Sequence, residues 1–349
     1  MSKTIKNVYD KSLTYHKLFN AYKNACIGKG NKKNVLMYSK DVERNIIKIK
    51  SELENSNYKI GSYNTFVIYE PKIRIIKALP FKDRIVQQWY IKEFIKPYIL
   101  PRFIYDSYAC IDGKGTHKAV DRLQYFMNKM KINNNYYVLK CDIRKFFNNI
   151  DKDILFHIMK KYISDSKLLL LTSILIFDDN SNKGLAIGNY TSQYFANIYL
   201  NELDYFVKYD LKIKYYIRYM DDFVILLDNK EECKFIKNKI EIFLKEKLNL
   251  ELNNRSIYFP SRLGIDFCGY RIFNDYRLVR KRCIRKINTC IKKWNKLAIN
   301  KKLDIKKMDL SINSIYGHIK HGNCFRLKKK INYERNEILK KILVNFDIF

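Results

Sequence analysis

Hydrophobic positions recur with a helical period over residues 7–57, interrupted at the turn Gly28-Lys29-Gly30-Asn31, and predict an N-terminal helical region. Residues 64–79 instead alternate apolar and polar positions, as two short strands joined near Pro71 would. A helical stretch over 83–98 follows, closed by Pro97 and Pro101. Residues 136–141 are β-rich and lead directly into Asp142, with a helix starting near Asp151. Helices are predicted over 164–177 and 191–208, the latter with Phe195, Ile198, Tyr199, Leu203, Phe206 and Val207 on one face. Two strand-like runs, 215–220 and 223–227, flank Asp221-Asp222 and predict a tight hairpin with both acids on its turn. From Arg277 onward the pattern is helical again. Val279, Cys283, Ile287, Ile291, Trp294 and Leu297 form an apolar stripe, and Lys281, Arg282, Arg285, Lys286, Lys292, Lys293 and Lys296 fill the positions between. No internal repeat is visible.

Charge changes the picture more than size does. The 349 residues and 47% hydrophobic content suit an ordinary folded chain with two or three subdomains, but 68 Lys+Arg against 35 Asp+Glu leave a formal charge of +33. Residues 277–349 alone carry 21 Lys/Arg against 5 Asp/Glu. Such an excess favours a polyanionic partner, nucleic acid ahead of an anionic membrane surface, bound with a steep salt dependence. The longest apolar run, 168–177, is too short to span a bilayer and the N-terminus is not signal-like, so the expectation is a soluble, cytoplasmic protein without membrane association. Eight cysteines without any CxxC pair argue for reduced thiols and against a zinc ribbon. His318, His321 and Cys324 form an HxxHxxC cluster that lacks a fourth ligand and reads as packing or RNA-facing residues.

Two adjacent carboxylates inside an apolar run require a positive counterpart, because burying them alone costs several kcal/mol. Asp142 ends a second strand-like run. Carboxylates from neighbouring strand ends can share two divalent cations roughly 3.5–4 Å apart, an arrangement that serves in-line phosphoryl transfer. Magnesium, a hard ion that takes a few carboxylates plus substrate phosphates, suits such a site.

These residues carry a resemblance. Tyr219-Met220-Asp221-Asp222 resembles the YxDD motif of reverse transcriptases, and Asp142 in Cys141-Asp142-Ile143-Arg144-Lys145-Phe146-Phe147 resembles their first metal-binding motif. The likeness extends from about residue 60 to the end. It implies an α+β right-hand polymerase fold of fingers, a palm with an antiparallel sheet, and a helical thumb. The corresponding segments are 1–135 for the N-terminal helices and fingers, 136–276 for the palm with interleaved fingers elements, and 277–349 for the basic thumb. It also implies catalytic and metal-binding roles for Asp142, Asp221 and Asp222, with two Mg2+ ions. Phe147 would lie under the incoming sugar and disfavour a 2′-hydroxyl, and Lys72 and Arg74 would hold the triphosphate. The turn Phe267-Cys268-Gly269-Tyr270 would support the primer end.

Where most bacterial reverse transcriptases carry Gln-Gly-x-x-x-Ser-Pro beside the nucleotide, this chain has Ile187-Gly188-Asn189-Tyr190-Thr191-Ser192-Gln193. Ile187, Gly188, Ser192 and Gln193 in that form resemble the reverse transcriptases of diversity-generating retroelements. Such enzymes copy a template-repeat RNA into cDNA with errors at template adenines, binding template RNA, the primer–template duplex and deoxynucleoside triphosphates, together with a small basic accessory variability protein. An abortive-infection or intron-derived reverse transcriptase is the alternative within the class; a non-catalytic RNA-binding scaffold is the alternative outside it. Residues 277–349 are too few for an RNase H domain beside a thumb and there is no HNH-like cluster, so template digestion and target cleavage are expected from other proteins.

Overall fold

The computed structural model describes residues 4–69, 73–130, 136–179 and 181–344. They fall into two compact units that interleave along the chain: one comprises 1–113, 140–224 and 234–257, the other 114–139, 225–233 and 258–349.

In the first unit, helices Tyr15–Cys26 and Val42–Glu54 lie in the helical region predicted over 7–57, on either side of the turn at 28–31, and helix Phe81–Tyr90 opens the next stretch. The Thr14 hydroxyl accepts from the Lys17 amide and starts the first of these. Leu18, Ala21 and Ala25 bury one stripe of that helix; Ile46, Ile49 and Leu53 do the same for the next. The Trp89 indole, itself buried, donates to the Ser12 carbonyl at 2.9 Å. Strands β1 (Asn64–Ile68) and β2 (Arg74–Ala78) pair antiparallel, with Asn64 opposite Ala78 and Ile68 opposite Arg74. The stretch predicted over 83–98 is helical but passes through a π-turn at Ile91–Ile95, an irregularity that periodicity does not encode.

The remaining strands are β3 (Tyr137–Asp142), β4 (Tyr216–Tyr219), β5 (Asp222–Leu227) and β6 (Ile257–Pro260), then β7 (Ile265–Phe267), β8 (Tyr270–Ile272) and β9 (Arg277–Val279). The four-stranded sheet runs β4-β5-β3-β6. Asp151 starts helix Lys152–Tyr162 by accepting from the Asp153 and Ile154 amides, and Asp165 caps helix Ser166–Ile176 in the same manner. Helix Tyr190–Tyr205 departs from the expected one-faced pattern. Twelve of its residues, Asn197, Asn201 and Asp204 among them, are buried, because this helix lies inside the unit rather than on its surface. It ends at Tyr205 and continues to Asp210 as a π-turn, short of the regular helix predicted to 208.

In the second unit β7, β8 and β9 form an antiparallel meander, with Phe267 opposite Tyr270 and Tyr270 opposite Val279. The basic helix predicted from Arg277 therefore begins only at Lys281, since residues 277–279 are engaged as β9. Helix Lys281–Ile299 buries Ile287, Ile291, Trp294 and Ala298, while its seven interspersed lysines and arginines are exposed. Helices Ile305–Ile319 and Phe325–Val344 complete the unit. Among the described residues no helix is long and apolar enough to cross a membrane.

Candidate active site

Met220 and Asp221 form the two-residue turn between β4 and β5, and Asp222 is the first residue of β5 rather than part of the turn. Met220 takes a positive φ of 56°. The turn is anchored from beneath by Arg218, a side chain the sequence pattern hides inside a strand. Arg218 is fully buried, and its Nη1 donates to the Met220 carbonyl at 3.1 Å and to Asn197 Oδ1 at 3.0 Å. Its Nε donates to Asp204 Oδ1 at 2.7 Å, and its Nη2 donates to the other Asp204 oxygen. Tyr216 adds a hydroxyl donated to Asp204 Oδ1 at 2.6 Å. A fork donor can satisfy carboxylate, amide and carbonyl at once, which is why arginine rather than lysine fits here. The isolated signals were present, Arg218 three residues before Asp221 and an acid on an apolar helix, but nothing in the sequence joins them.

Asp142, at the end of β3, is held by the segment before β6. Asn253 Nδ2 donates to Asp142 Oδ2 at 3.0 Å, and the Asn253 amide donates to the Asp142 carbonyl at 2.7 Å. The Asp142 amide donates to Ser256 Oγ at 3.2 Å. Neither Asn253 nor Ser256 is legible as a site residue from sequence, being more than a hundred positions away. Asp222 is placed differently: Lys140 Nζ, two residues before Asp142 on β3, lies 2.9 Å from its Oδ1 and 3.1 Å from its Oδ2.

Burial pushes the Asp221 carboxyl up to about 6, with the charges of Asp142 and then Asp222 adding to the rise and Arg74 opposing it. Two carboxylates that repel each other in a partly desolvated place call for a cation. Among the described residues no three His, Cys, Asp or Glu side chains group as a ready ligand cluster. What the structure offers is a hard-oxygen pair, Asp142 and Asp221, with Asp222 already paired to a lysine. That donor chemistry fits a magnesium ion completed by substrate oxygens rather than an all-protein cage.

The other sequence-predicted residues of this unit are placed as follows. Lys72 lies outside the described residues. Arg74 opens β2 and is exposed, and its charge acts on Asp221. Phe147 is half-buried in the short helix Phe146–Asn149, edge-on to Phe146 with centroids 5.7 Å apart. Its carbonyl accepts from the Leu185 amide at 2.7 Å, which ties it to the segment leading into Ile187. The Ile187 carbonyl in turn accepts from the Lys77 amide at 3.0 Å, so this loop pairs with the edge of β2 through backbone, whatever side chain stands at 187. Gly188 has φ +130°, and a Cβ there would stand 2.6 Å from the Lys77 carbonyl, so only glycine allows this approach. Ser192 is buried; Gln193 is exposed and accepts a hydrogen bond from Cys110 Sγ at 3.3 Å.

The turn from Phe267 to Tyr270 belongs to the second unit. Phe267 and Tyr270 are buried, Cys268 and Gly269 have φ of 46° and 92°, and a Cβ on Gly269 would come within 3.1 Å of His318. The Tyr270 hydroxyl donates to the His318 carbonyl at 2.7 Å, and the rings of His117 and His321 stack with centroids 3.7 Å apart. His318 thus packs against the turn and His321 against His117.

Residues 69–272 match the family model described as reverse transcriptase (RNA-dependent DNA polymerase). A putative COX1/OXI3 intron 2 protein of Saccharomyces cerevisiae is 29% identical over 114 residues, 32% of this chain and 13% of that protein. The group II intron-encoded protein LtrA of Lactococcus lactis subsp. cremoris is 36% identical over 63 residues, 18% of this chain and 10% of that protein. The matched stretches thus span only 10–13% of these relatives' lengths. Among solved structures, apo telomerase from Candida tropicalis truncated from its C-terminal domain aligns with a TM-score of 0.47 and 15% identity, over 68% of this chain and 60% of that one. Telomerase from Candida albicans in complex with a TWJ fragment of telomeric RNA aligns with a TM-score of 0.46 and 11% identity, over 88% of this chain and 66% of that one.

Proposed function

The chain belongs to the reverse transcriptase (RNA-dependent DNA polymerase) family, with its right-hand polymerase fold, and on that premise we propose that it copies an RNA template into cDNA at the Asp142–Asp221 pair. The observation that carries this reading is the placement of Asp221 on an arginine-anchored turn, near enough to Asp142 at the end of β3 for the two charges to repel. Asp142 and Asp221 would hold divalent magnesium, which when bound supplies the Lewis acidity that lowers the barrier to attack by a primer 3′-hydroxyl and departure of pyrophosphate. Asn253 holds the Asp142 carboxylate and Arg218 holds the turn that carries Asp221; Lys140 keeps the charge of Asp222 from adding fully to theirs. Arg74, with Lys72, would clamp the triphosphate, and Phe147 would stand under the sugar and select deoxynucleotides. The turn at Gly269 would support the primer end.

The finer reading is that of a diversity-generating retroelement enzyme, error-prone at template adenines and working with a small basic accessory protein. It is supported by Ile187 and Gln193 where other bacterial enzymes carry glutamine and proline, and by an exposed Gln193 whose flexible side chain would hold the pairing geometry less firmly than a proline ring. An intron-derived enzyme is the second reading, favoured by the two intron-encoded relatives. Primer extension on RNA with all four deoxynucleotides and magnesium, with Asp221→Asn as control, tests both. Errors concentrated opposite adenine support the first, and an accurate copy supports the second. An error spectrum unchanged by Ile187→Gln with Gln193→Pro removes the part given to this motif.

A further inference from the structure

Lys152 follows the helix cap Asp151 and is fully buried, which is rare for a lysine and implies a counter-charge. It has two. Its Nζ lies 3.0 Å from Asp178 Oδ1 and 2.7 Å from Asp179 Oδ1, and the Asp178 side chain is itself only 3% exposed. From these acids the network runs in two directions. Asp178 Oδ2 accepts from the Tyr63 hydroxyl and from Asn189 Nδ2, the latter at 3.1 Å, and Asn189 Nδ2 also donates to the Tyr63 oxygen at 2.6 Å. Asp179 Oδ2 accepts from Lys77 Nζ at 2.7 Å. Asn189 is a buried residue of the Ile187–Gln193 motif and Lys77 is on β2, the strand that begins with Arg74. The same two segments meet through the Lys77 amide and the Ile187 carbonyl.

We propose that Lys152 is the positioning residue for nucleotide selection: with Asp178 and Asp179 it locks the Ile187–Gln193 segment to strand β2, fixing the gap that a nascent base pair must fit. The inference rests on the polymerase reading given above. Lys152 bridges the two acids, and through them Asn189 of the motif is joined to Lys77 of β2. Burial pulls Asp179 upward, but the hydrogen bonds and charges of Lys152 and Lys77 outweigh it and hold the carboxyl at about 2. Burial and the hydrogen bond to Asp178 keep the Tyr63 hydroxyl protonated and donating. Asp179 thus keeps its charge and Tyr63 its proton across the range in which nucleic acids are copied. Selection by shape depends on the stiffness of such walls, since small displacements of positioned groups cost large factors in rate.

Lys152→Met strands two carboxylates and can fail to fold, so the decisive variant is Lys152→Met with Asp178→Asn, which removes the cation with one anion and leaves Asp179 to Lys77. Two measurements on the full-length chain separate this proposal from the reading beneath it. The first is amide hydrogen exchange without substrate. The double variant should exchange faster in residues 63–69 and 74–78 and also in 187–193, both walls together, with helix Val42–Glu54 unchanged as an internal control. Unchanged exchange in either wall overturns the proposal whether or not the chain polymerises. The second is primer extension on RNA. Misincorporation should rise roughly tenfold opposite all four template bases, through a higher KM for the correct nucleotide at nearly constant kcat, a split that a general loss of folded protein does not produce. Unaltered selectivity in a variant whose walls have loosened also overturns it. If the unmodified chain makes no cDNA, the polymerase reading fails, and the exchange result still decides whether Lys152 holds the two segments.

Discussion

At the scale of single residues, the Asp221 carboxyl is the most informative group. Its value of about 6 in the folded chain lies above the ~3.9 of an unfolded aspartate, so ionising it opposes folding. The penalty is absent below about pH 4 and complete above about pH 6. In metal-free buffer, Asp221→Asn should therefore raise the melting temperature at pH 8 and lose that advantage as pH falls through 6 toward 4. Calorimetry in chelator at the two pH values checks this, and equal shifts at both would assign the effect to packing instead. The same group sets the metal dependence. Magnesium needs the ionised form, so the magnesium concentration for half-maximal extension should climb as pH drops below about 6. Asn253 supports the other carboxylate, and Asn253→Ala should cost roughly 10–100-fold in activity or metal affinity, as loss of an outer partner of a metal ligand usually does. Here the sequence was legible up to the acids and no further. Asp142, Asp221 and Asp222 stand out because charge interrupts apolar strands, whereas Asn253, Ser256 and Lys140 act through distances that only the folded sheet creates.

At the scale of elements, the two-residue turn between β4 and β5 depends on a charge pair buried under it. Removing one partner leaves the other uncompensated, so Arg218→Met should destabilise the chain by about 3–5 kcal/mol. Arg218→Met with Asp204→Leu should recover much of that loss in thermal unfolding, yet leave extension impaired, because the Met220 carbonyl still lacks its donor. Full recovery of both would reduce the pair to packing. This element also marks the limit of pattern reading. Two strand-like runs flanking the acids located the hairpin, but the helix expected over 191–208 to have one apolar face has a buried circumference over Tyr190–Tyr205. The periodicity does not show that Asn197, Asn201 and Asp204 are buried, because their partners, Arg218 among them, come from elsewhere in the chain. In the same way β9 took residues 277–279 from the expected basic helix, since so short a run as Arg277-Leu278-Val279 fits a strand as well as a helical turn and pairing with β8 decided between them.

At the scale of the whole molecule, a formal charge of +33 on a chain with ordinary hydrophobic content is the feature that local structure least explains. Helix Lys281–Ile299 gives it a form: Lys281, Arg285, Lys292 and Lys296 recur at steps of four, seven and four, so they share one exposed face opposite the buried Ile287, Ile291 and Trp294. Intrahelical acids are missing from that face, so its charge is not neutralised locally, and phosphates are the counter-ions it suits. RNA affinity should accordingly fall steeply with salt, by roughly 10³–10⁵ between 50 and 200 mM if six to ten phosphates are engaged. Replacing Lys281, Arg285 and Lys292 by glutamate should weaken binding about equally for RNAs of different sequence and lower the salt slope by about one per lost contact. The error spectrum should stay as it was, because these residues read charge and not base identity. A slope left intact by the triple replacement would move the polyanion contact to other basic surfaces of the chain. A changed error spectrum would mean that this helix takes part in nucleotide selection, which its uniform charge and distance in sequence from the Ile187–Gln193 segment argue against.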